Sequence, residues 1–278
     1  MITLLAYAKL NLSLRILGRR SDGFHEIDSL VQTISLADRI SVEPTRAGVE
    51  TENNAGISPQ EDLAARAARL LFAEKRGPGG VRIKTEKRIP IGAGLGGGSS
   101  DAAAVLWSVN RLTAPPLPEE ELLRLAADLG ADVPLFLTGG RMRMCGKGEK
   151  IIPLADNLQE RFLLLIPPIH CRTACVYHRF DELAFGDAQA LAQERLGRND
   201  LEAAALDLYS TLARYRNAVA ALPCLYSGMS GSGSAFFAVF SDLETAEASR
   251  QTLFVSFPEA SVHLCQPTRT GYHVTGRR

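Results

Sequence analysis

Residues 90 to 101 read Pro90-Ile91-Gly92-Ala93-Gly94-Leu95-Gly96-Gly97-Gly98-Ser99-Ser100-Asp101, and five of the seven residues from Gly92 to Gly98 are glycine. Glycine loses more backbone entropy on folding than any other residue, so such a run makes sense where bare backbone is needed. An apolar helical pattern, Ala102-Ala103-Ala104-Val105-Leu106-Trp107, follows directly. A glycine loop that feeds a helix N-terminus offers unpaired N–H groups and the positive end of the helix dipole to a ligand. The chain must therefore bring a tight loop and a helix end together, and the expected ligand is a phosphate. A plain tight turn is the alternative that composition leaves open.

Two familiar phosphate motifs fit poorly. Gly92-x-Gly94-x-x-Gly97 satisfies the dinucleotide fingerprint, but any run this rich in glycine would. The acidic residue expected about 20 positions on would fall near Glu119 to Glu121, which follow Pro115-Pro116-Leu117-Pro118 and read as the first turn of a helix. A P-loop ends in Gly-Lys-Ser/Thr, whereas Gly98 is followed by Ser99.

Along the chain, residues 2–17 alternate loosely as a strand, and 27–43 read as one or two more. Residues 44–60 are loop-prone. Asp62 opens an alanine-rich helix to about Lys75, and Val81, Ile83 and Thr85 alternate as a strand leading to the glycine loop. Residues 118–129 form an amphipathic helix ended by Gly130. Phe162 to Ile166 is a buried strand. Helices are expected over about 187–196 and 200–222, a strand over 235–240, a helix over 243–253 and a last strand over 262–264. This alternation predicts an α+β or mixed α/β enzyme of two lobes divided near residues 150–160, taken as 1–154 and 155–278.

Composition narrows the partners. Among 278 residues, 31 lysines and arginines balance 31 aspartates and glutamates, so neither nucleic acid nor an anionic membrane is an expected partner. No apolar run reaches the roughly 18 residues of a membrane helix. The first residues do not read as a signal peptide, and the five cysteines are odd in number and scattered, so a cytoplasmic protein with reduced thiols is expected. Cys171 and Cys175 lie between His170 and His178, a spacing that fits zinc poorly; no metal ligand set is assigned.

Three further features carry chemistry. Gly228-Met229-Ser230-Gly231-Ser232-Gly233-Ser234 is a second loop of small residues, a hairpin turn by itself, or half of a clamp that closes with the first loop on one polyphosphate. Lys9 interrupts an apolar alternation, and Asn11 shares its face. Alone these suggest a solvated strand face. Asp132, in Gly130-Ala131-Asp132-Val133-Pro134, suggests a helix N-cap with proline in the first turn. The chemical alternative pairs the Asp132 carboxylate with a lysine beside a transferred phosphate.

Ala6-Tyr7-Ala8-Lys9-Leu10-Asn11-Leu12, the 90–100 loop and Gly228 to Gly233 together resemble the three ordered motifs of the GHMP small-molecule kinases. The resemblance spans nearly the whole chain. It implies a two-lobed α+β fold, with a ribosomal-protein-like N-terminal lobe, a ferredoxin-like C-terminal lobe and the site between them. It also implies an ATP- and Mg2+-dependent kinase with Lys9 and Asp132 as the catalytic pair. ATP phosphates would lie on Pro90, Ile91, Gly92, Ala93, Gly94, Leu95, Gly96, Gly97, Gly98, Ser99 and Ser100. Arg19 to Ile27, Gly130 to Phe136 and Asn199 to Glu202 are similar to the branch acting on a cytidine-diphosphate-linked methylerythritol in non-mevalonate isoprenoid synthesis. There Phe24 and Tyr177 would sandwich cytosine, His25 would bond its polar edge, and Asn11 and Thr173 would hold the alcohol end. A homoserine or mevalonate type of kinase, and a catalytically silent nucleotide-binding relative, are the alternatives. Asp62 departs from the branch, where an asparagine is expected.

Overall fold

The structure is a computed structural model that describes residues 1–74, 78–183 and 195–277. Two long strands, β1 (Ile2–Arg19) and β2 (His25–Thr45), pair antiparallel along nearly their whole length. Then come β3 (Gly48–Asn53), α1 (Leu63–Ala73), β4 (Gly80–Glu86), α2 (Gly97–Arg111), α3 (Glu119–Leu129), α4 (Val133–Thr138), β5 (Arg141–Gly146) and β6 (Lys150–Pro153). The second half holds β7 (Arg161–Ile166), α5 (Thr173–Leu183), α6 (Glu202–Leu208), α7 (Leu212–Ala220), β8 (Tyr226–Met229), β9 (Phe236–Phe240), α8 (Leu243–Ser256), β10 (Ser261–Cys265) and β11 (Tyr272–Arg277).

The first sheet runs β11-β1-β2-β4-β3, with β5 on β2 and β6 on β5. The second runs β10-β7-β9-β8, all antiparallel, which is the fourth-first-third-second order of a ferredoxin-like sheet. The α+β two-lobed fold is the one expected. No helix among the described residues is long and apolar enough to cross a membrane.

Alternation along β1 links the lobes. Leu4 and Ala6 lie in a core with α1 to α4, whose contacts include Leu71, Val105 and Phe136. The register against β2 shifts between Tyr7 and Ala8, the mark of a β-bulge. Beyond it Ala8, Leu10 and Leu12 enter a second core, between the sheets, with Phe162, Leu164, Phe237 and Val239. The odd residues of β7, Leu163 and Leu165, face a third core with α5 to α8. Burial on both faces explains why Phe162 to Ile166 is an unbroken apolar run.

Helix ends follow their capping chemistry. The Asp62 carboxylate accepts from the Ala64 N–H at 2.9 Å, so this position is the N-cap of α1. Three glutamates stand in the first turn of α3 and Gly130 caps its end. Nearly every face of α2 is buried, which accounts for its alanine-rich sequence.

Some elements differ from expectation. Residues 200–222 form two helices, because Tyr209 leaves the helical region to place its hydroxyl 3.3 Å from the Arg172 N–H. The loop-prone stretch 44–60 contains β3, a half-exposed edge strand parallel to β4. A strand beyond 262–264, β11, returns to pair with Ile2 to Ala6. The stretch 27–43, expected as one or two strands, is one. The helix expected over about 187–196, and the end of the one to Lys75, lie largely outside the described residues.

Residues 197–200 run beside the outer edge of β1. The Gly197 N–H donates to the Leu12 carbonyl at 2.8 Å, and Arg198 and Asp200 exchange bonds with Leu14. Buried Asn199 donates to the Met229 and Gly231 carbonyls at 2.8 and 2.7 Å and accepts from the Leu201 N–H. Asn199→Ala leaves these groups unpaired and is expected to lower stability by about 1–3 kcal/mol. A urea midpoint equal to the wild type's would contradict this role.

Candidate active site

The glycine loop leaves β4 and enters α2 between the two lobes. Gly92, Gly94 and Gly96 have φ of +69°, +77° and +73°, a region that favours glycine. The loop is stitched to both lobes: the Lys9 N–H donates to Leu95 O at 3.0 Å, and the Ala235 N–H to Ala93 O at 3.1 Å. A Cβ on Gly94 would stand 2.1 Å from Ser230 O, and one on Gly96 would stand 2.7 Å from Phe136 Cζ. Gly96 caps α2 without a side chain, and the N–H groups of Gly97, Gly98 and Ser99 have no hydrogen-bond partner among the described residues. Such a cradle fits a phosphate.

The second small-residue loop is the β8–β9 hairpin turn, and it packs directly on the first loop. Ser230 Oγ donates to Gly94 O at 3.0 Å and accepts from the Asn11 N–H at 3.2 Å.

Lys9 is buried, not on a solvated face. Its ammonium stands 3.6 Å from Asp132 Oδ2 and donates to Asn11 Oδ1. Asn11 Nδ2 in turn donates to Ser29 Oγ at 2.8 Å, which fixes the amide. Asp132 occupies the N-cap position of α4, with Pro134 in the first turn, yet makes no side-chain cap bond. Its carboxylate is left to Lys9 and the cleft. Burial, with the Asp132 charge adding to it, pushes the Tyr177 phenol up to about 12.

Beyond this pair the cleft is aromatic. The rings of His25 and Tyr177 lie 4.9 Å apart at 34°. Phe24 is 55% exposed, and Lys147 Nζ stands 4.9 Å from its ring. A large aromatic left in solvent beside a cleft is more informative than a buried one. The Thr173 hydroxyl, at the start of α5, lies 2.9 Å from that of Ser232.

Together these groups line one cleft of about 920 Å³, which contains Lys9, Asn11, Phe24, His25, Asp132, Thr173, Tyr177 and the loop from Pro90 to Ser99. Ser100 is the exception: it is buried and its hydroxyl donates to Tyr7 O at 2.7 Å. Leu63 lines the cleft while Asp62 caps α1. No cluster of three potential metal-ligating side chains occurs among the described residues.

Sequence reasoning missed Lys87. Its ammonium lies under the start of α2, bonded to Asp38 and, at 2.6 Å, to Asp101. All three side chains are nearly inaccessible. Burial would lower the lysine's pKa, but Asp101 and Asp38 outweigh it and hold it above its ordinary value. Burial raises Asp101 well above the usual carboxylate range, against the pull of Lys87, and Asp101 Oδ1 has no partner among the described residues. A Lys-Arg pair after a strand was the available signal, but the partners are 49 and 14 residues away.

Residues 62–140 match the family described as GHMP kinases N terminal domain, and residues 178–254 match GHMP kinases C terminal. A 4-diphosphocytidyl-2-C-methyl-D-erythritol kinase of Desulfitobacterium hafniense is 39% identical over 262 residues, covering 88% of this chain and 89% of that protein. A crystal structure of 4-(cytidine 5'-diphospho)-2C-methyl-D-erythritol kinase has a TM-score of 0.77 and 39% identity, covering 95% of this chain and 99% of that one. The homoserine kinase of Cytophaga hutchinsonii has a TM-score of 0.74 at 18% identity, over 98% of this chain and 96% of its own, a likeness of fold alone. The chain belongs to the GHMP kinases and, within them, to the family of the 4-diphosphocytidyl-2-C-methyl-D-erythritol kinases.

The Lys87 cluster yields a stability test. Lys87→Met strands two buried carboxyls and is expected to cost about 3–5 kcal/mol. Asp101→Asn should cost less than Lys87→Met, because Lys87 keeps the Asp38 carboxylate and burial disfavours a second charge at Asp101, and added to Lys87→Met it should restore part of the loss. Urea unfolding of the three variants checks this; equal damage from Asp101→Asn and Lys87→Met would refute it.

Proposed function

We propose that this chain transfers the terminal phosphoryl group of ATP to a hydroxyl of 4-diphosphocytidyl-2-C-methyl-D-erythritol, giving the 2-phosphate in non-mevalonate isoprenoid precursor synthesis. The observation that carries it is the position of the Lys9–Asp132 pair. Through Lys9 it touches the glycine cradle, since a Cβ on Gly96 would stand 3.1 Å from Lys9 Cγ. Through Asp132 it acts on Tyr177 in the aromatic part of the same cleft.

ATP phosphates fit the cradle of free N–H groups at Gly97, Gly98 and Ser99. Magnesium, bound with ATP, supplies positive charge against the phosphates, and Ser99 in the cleft wall is the side chain offered to it. Asp132 accepts the proton of the substrate hydroxyl as that oxygen takes the phosphoryl group. Lys9 orients Asp132 and offsets charge on the oxygen, and Asn11 holds Lys9 in place. Phe24 and Tyr177 flank cytosine, His25 meets its edge, and Asn11 and Thr173 meet the methylerythritol end. Lys147 and Arg19 add positive charge around a diphosphate. Catalysis of this kind is positioning plus electrostatics. The aromatic groups favour a nucleotide-linked alcohol over homoserine or mevalonate, which have no base to stack.

Two measurements test this. With Mg-ATP and a panel of alcohols, ADP should form with the cytidine-diphosphate-linked methylerythritol and not with homoserine or mevalonate; the reverse pattern would overturn the proposal. Asp132→Asn should bind ATP nearly as the wild type does by calorimetry, because the loop is untouched, and should lose about 10²-fold or more in turnover. Near-wild-type turnover would return Asp132 to a plain helix-start residue.

A further inference from the structure

His25 stands at the start of β2 with its ring against Tyr177 and edge-on to Phe180, 6.2 Å away at 82°. Its side chain is 9% exposed. Nε2 lies 2.6 Å from Oδ1 of Asp181, one helical turn beyond Tyr177 on α5. The second Asp181 oxygen lies 3.8 Å from the Arg19 guanidinium. Nδ1 has no hydrogen-bond partner among the described residues, and His25, Tyr177 and Asp181 all line the cleft.

We propose that Asp181 is a positioning residue that fixes the ring and the tautomer of His25, and so sets the base preference of this cleft. The inference rests on the proposed function, in which His25 meets a base edge. An ionised carboxylate only accepts hydrogen bonds. In the neutral imidazole the hydrogen therefore sits on Nε2, which leaves a lone pair on Nδ1. That lone pair accepts from an exocyclic amine, as on cytosine. It meets a carbonyl oxygen, as on uracil, with lone pair against lone pair. A site built to match a polar group rejects the analogue that lacks it far better than an apolar pocket can. The contacts with Tyr177 and Phe180 hold the ring plane but do not choose its hydrogen; Asp181 does.

The experiment uses the full chain and compares kcat/KM for cytidine- and uridine-diphosphate-linked methylerythritol. Asp181→Leu removes the acceptor at similar volume. The wild type should prefer the cytidine compound, and the ratio should fall about tenfold or more in the variant, with the loss mainly in KM. Asp181→Glu, which keeps an acceptor, should restore part of the ratio. A purely structural Asp181 would depress both substrates alike, and an unchanged ratio in Asp181→Leu overturns the proposal. If the wild type uses neither compound, the proposed function itself falls. Should Asp181→Leu fail to fold, 15N NMR of the wild-type imidazole still decides: hydrogen on Nε2 alone is expected, and a hydrogen on Nδ1, or on both nitrogens, overturns the assignment.

Discussion

Everything in the cleft hangs on the period-two alternation of β1. Ala8, Leu10 and Leu12 enter the core between the sheets, while Lys9 and Asn11 stand between them in sequence and project into the cleft. The residues that hold the lobes together and those that carry the charge are thus neighbours on one strand. A register slip of one residue would exchange them, burying an ammonium among phenylalanines. The outer edge of β1 is covered by residues 197–200 and its inner edge by β2, so the slip is blocked from both sides.

The glycines follow from the same constraint. For the loop to lie on β1 and on the β8–β9 turn at once, its backbone must approach closely. At Gly94 even a methyl group would collide with the Ser230 carbonyl. The positive φ angles turn the chain so that free N–H groups gather at the start of α2. The entropy that glycine loses is offset by bonds from Lys9 on one side of the seam and from Ala235 and Ser230 on the other. The loop is therefore a joint between lobes as well as a cradle, and phosphate binding and interlobe packing cannot vary independently.

Much of this was legible in the sequence because it is local. The glycine run, the caps at Asp62 and Gly130 and the apolar run before Pro167 each announce themselves within a few residues. Lys9 and Asp132 were legible only as a pattern: on a strand of unknown neighbours a lysine suggests a solvated face, and before a Pro-containing turn an aspartate suggests a cap. Burial of Lys9 and the missing cap bond of Asp132 are tertiary facts. Lys87 was invisible because its partners come from β2 and α2. The edge strands β3 and β11 were missed for another reason. Half of β3 and four of the six residues of β11 face solvent, so the apolar signal falls below that of a loop. The break at Tyr209 depends on a hydroxyl reaching the Arg172 N–H, which no periodicity carries.

The electrostatics of the cleft show a further regularity. Of the four cations that the described residues place in its walls, Lys9, Lys87 and Arg19 have carboxylate partners, namely Asp132, the pair Asp38 and Asp101, and Asp181, while Lys147 lies over the Phe24 ring. Unpaired cations would give a stronger field and a faster encounter with a polyanion. Paired ones give up field strength for a fixed position, since a lysine chain tethered at its tip has few rotamers left to lose. For a reaction in which little is asked beyond alignment of a hydroxyl, a base and a phosphorus atom, position is the scarcer quantity. Asp132 is the one partner among these that is both a third exposed and free of a capping bond. The others are committed to holding a cation or a histidine. In the proposed reaction that leaves Asp132 as the carboxylate able to take a proton without dismantling the site around it.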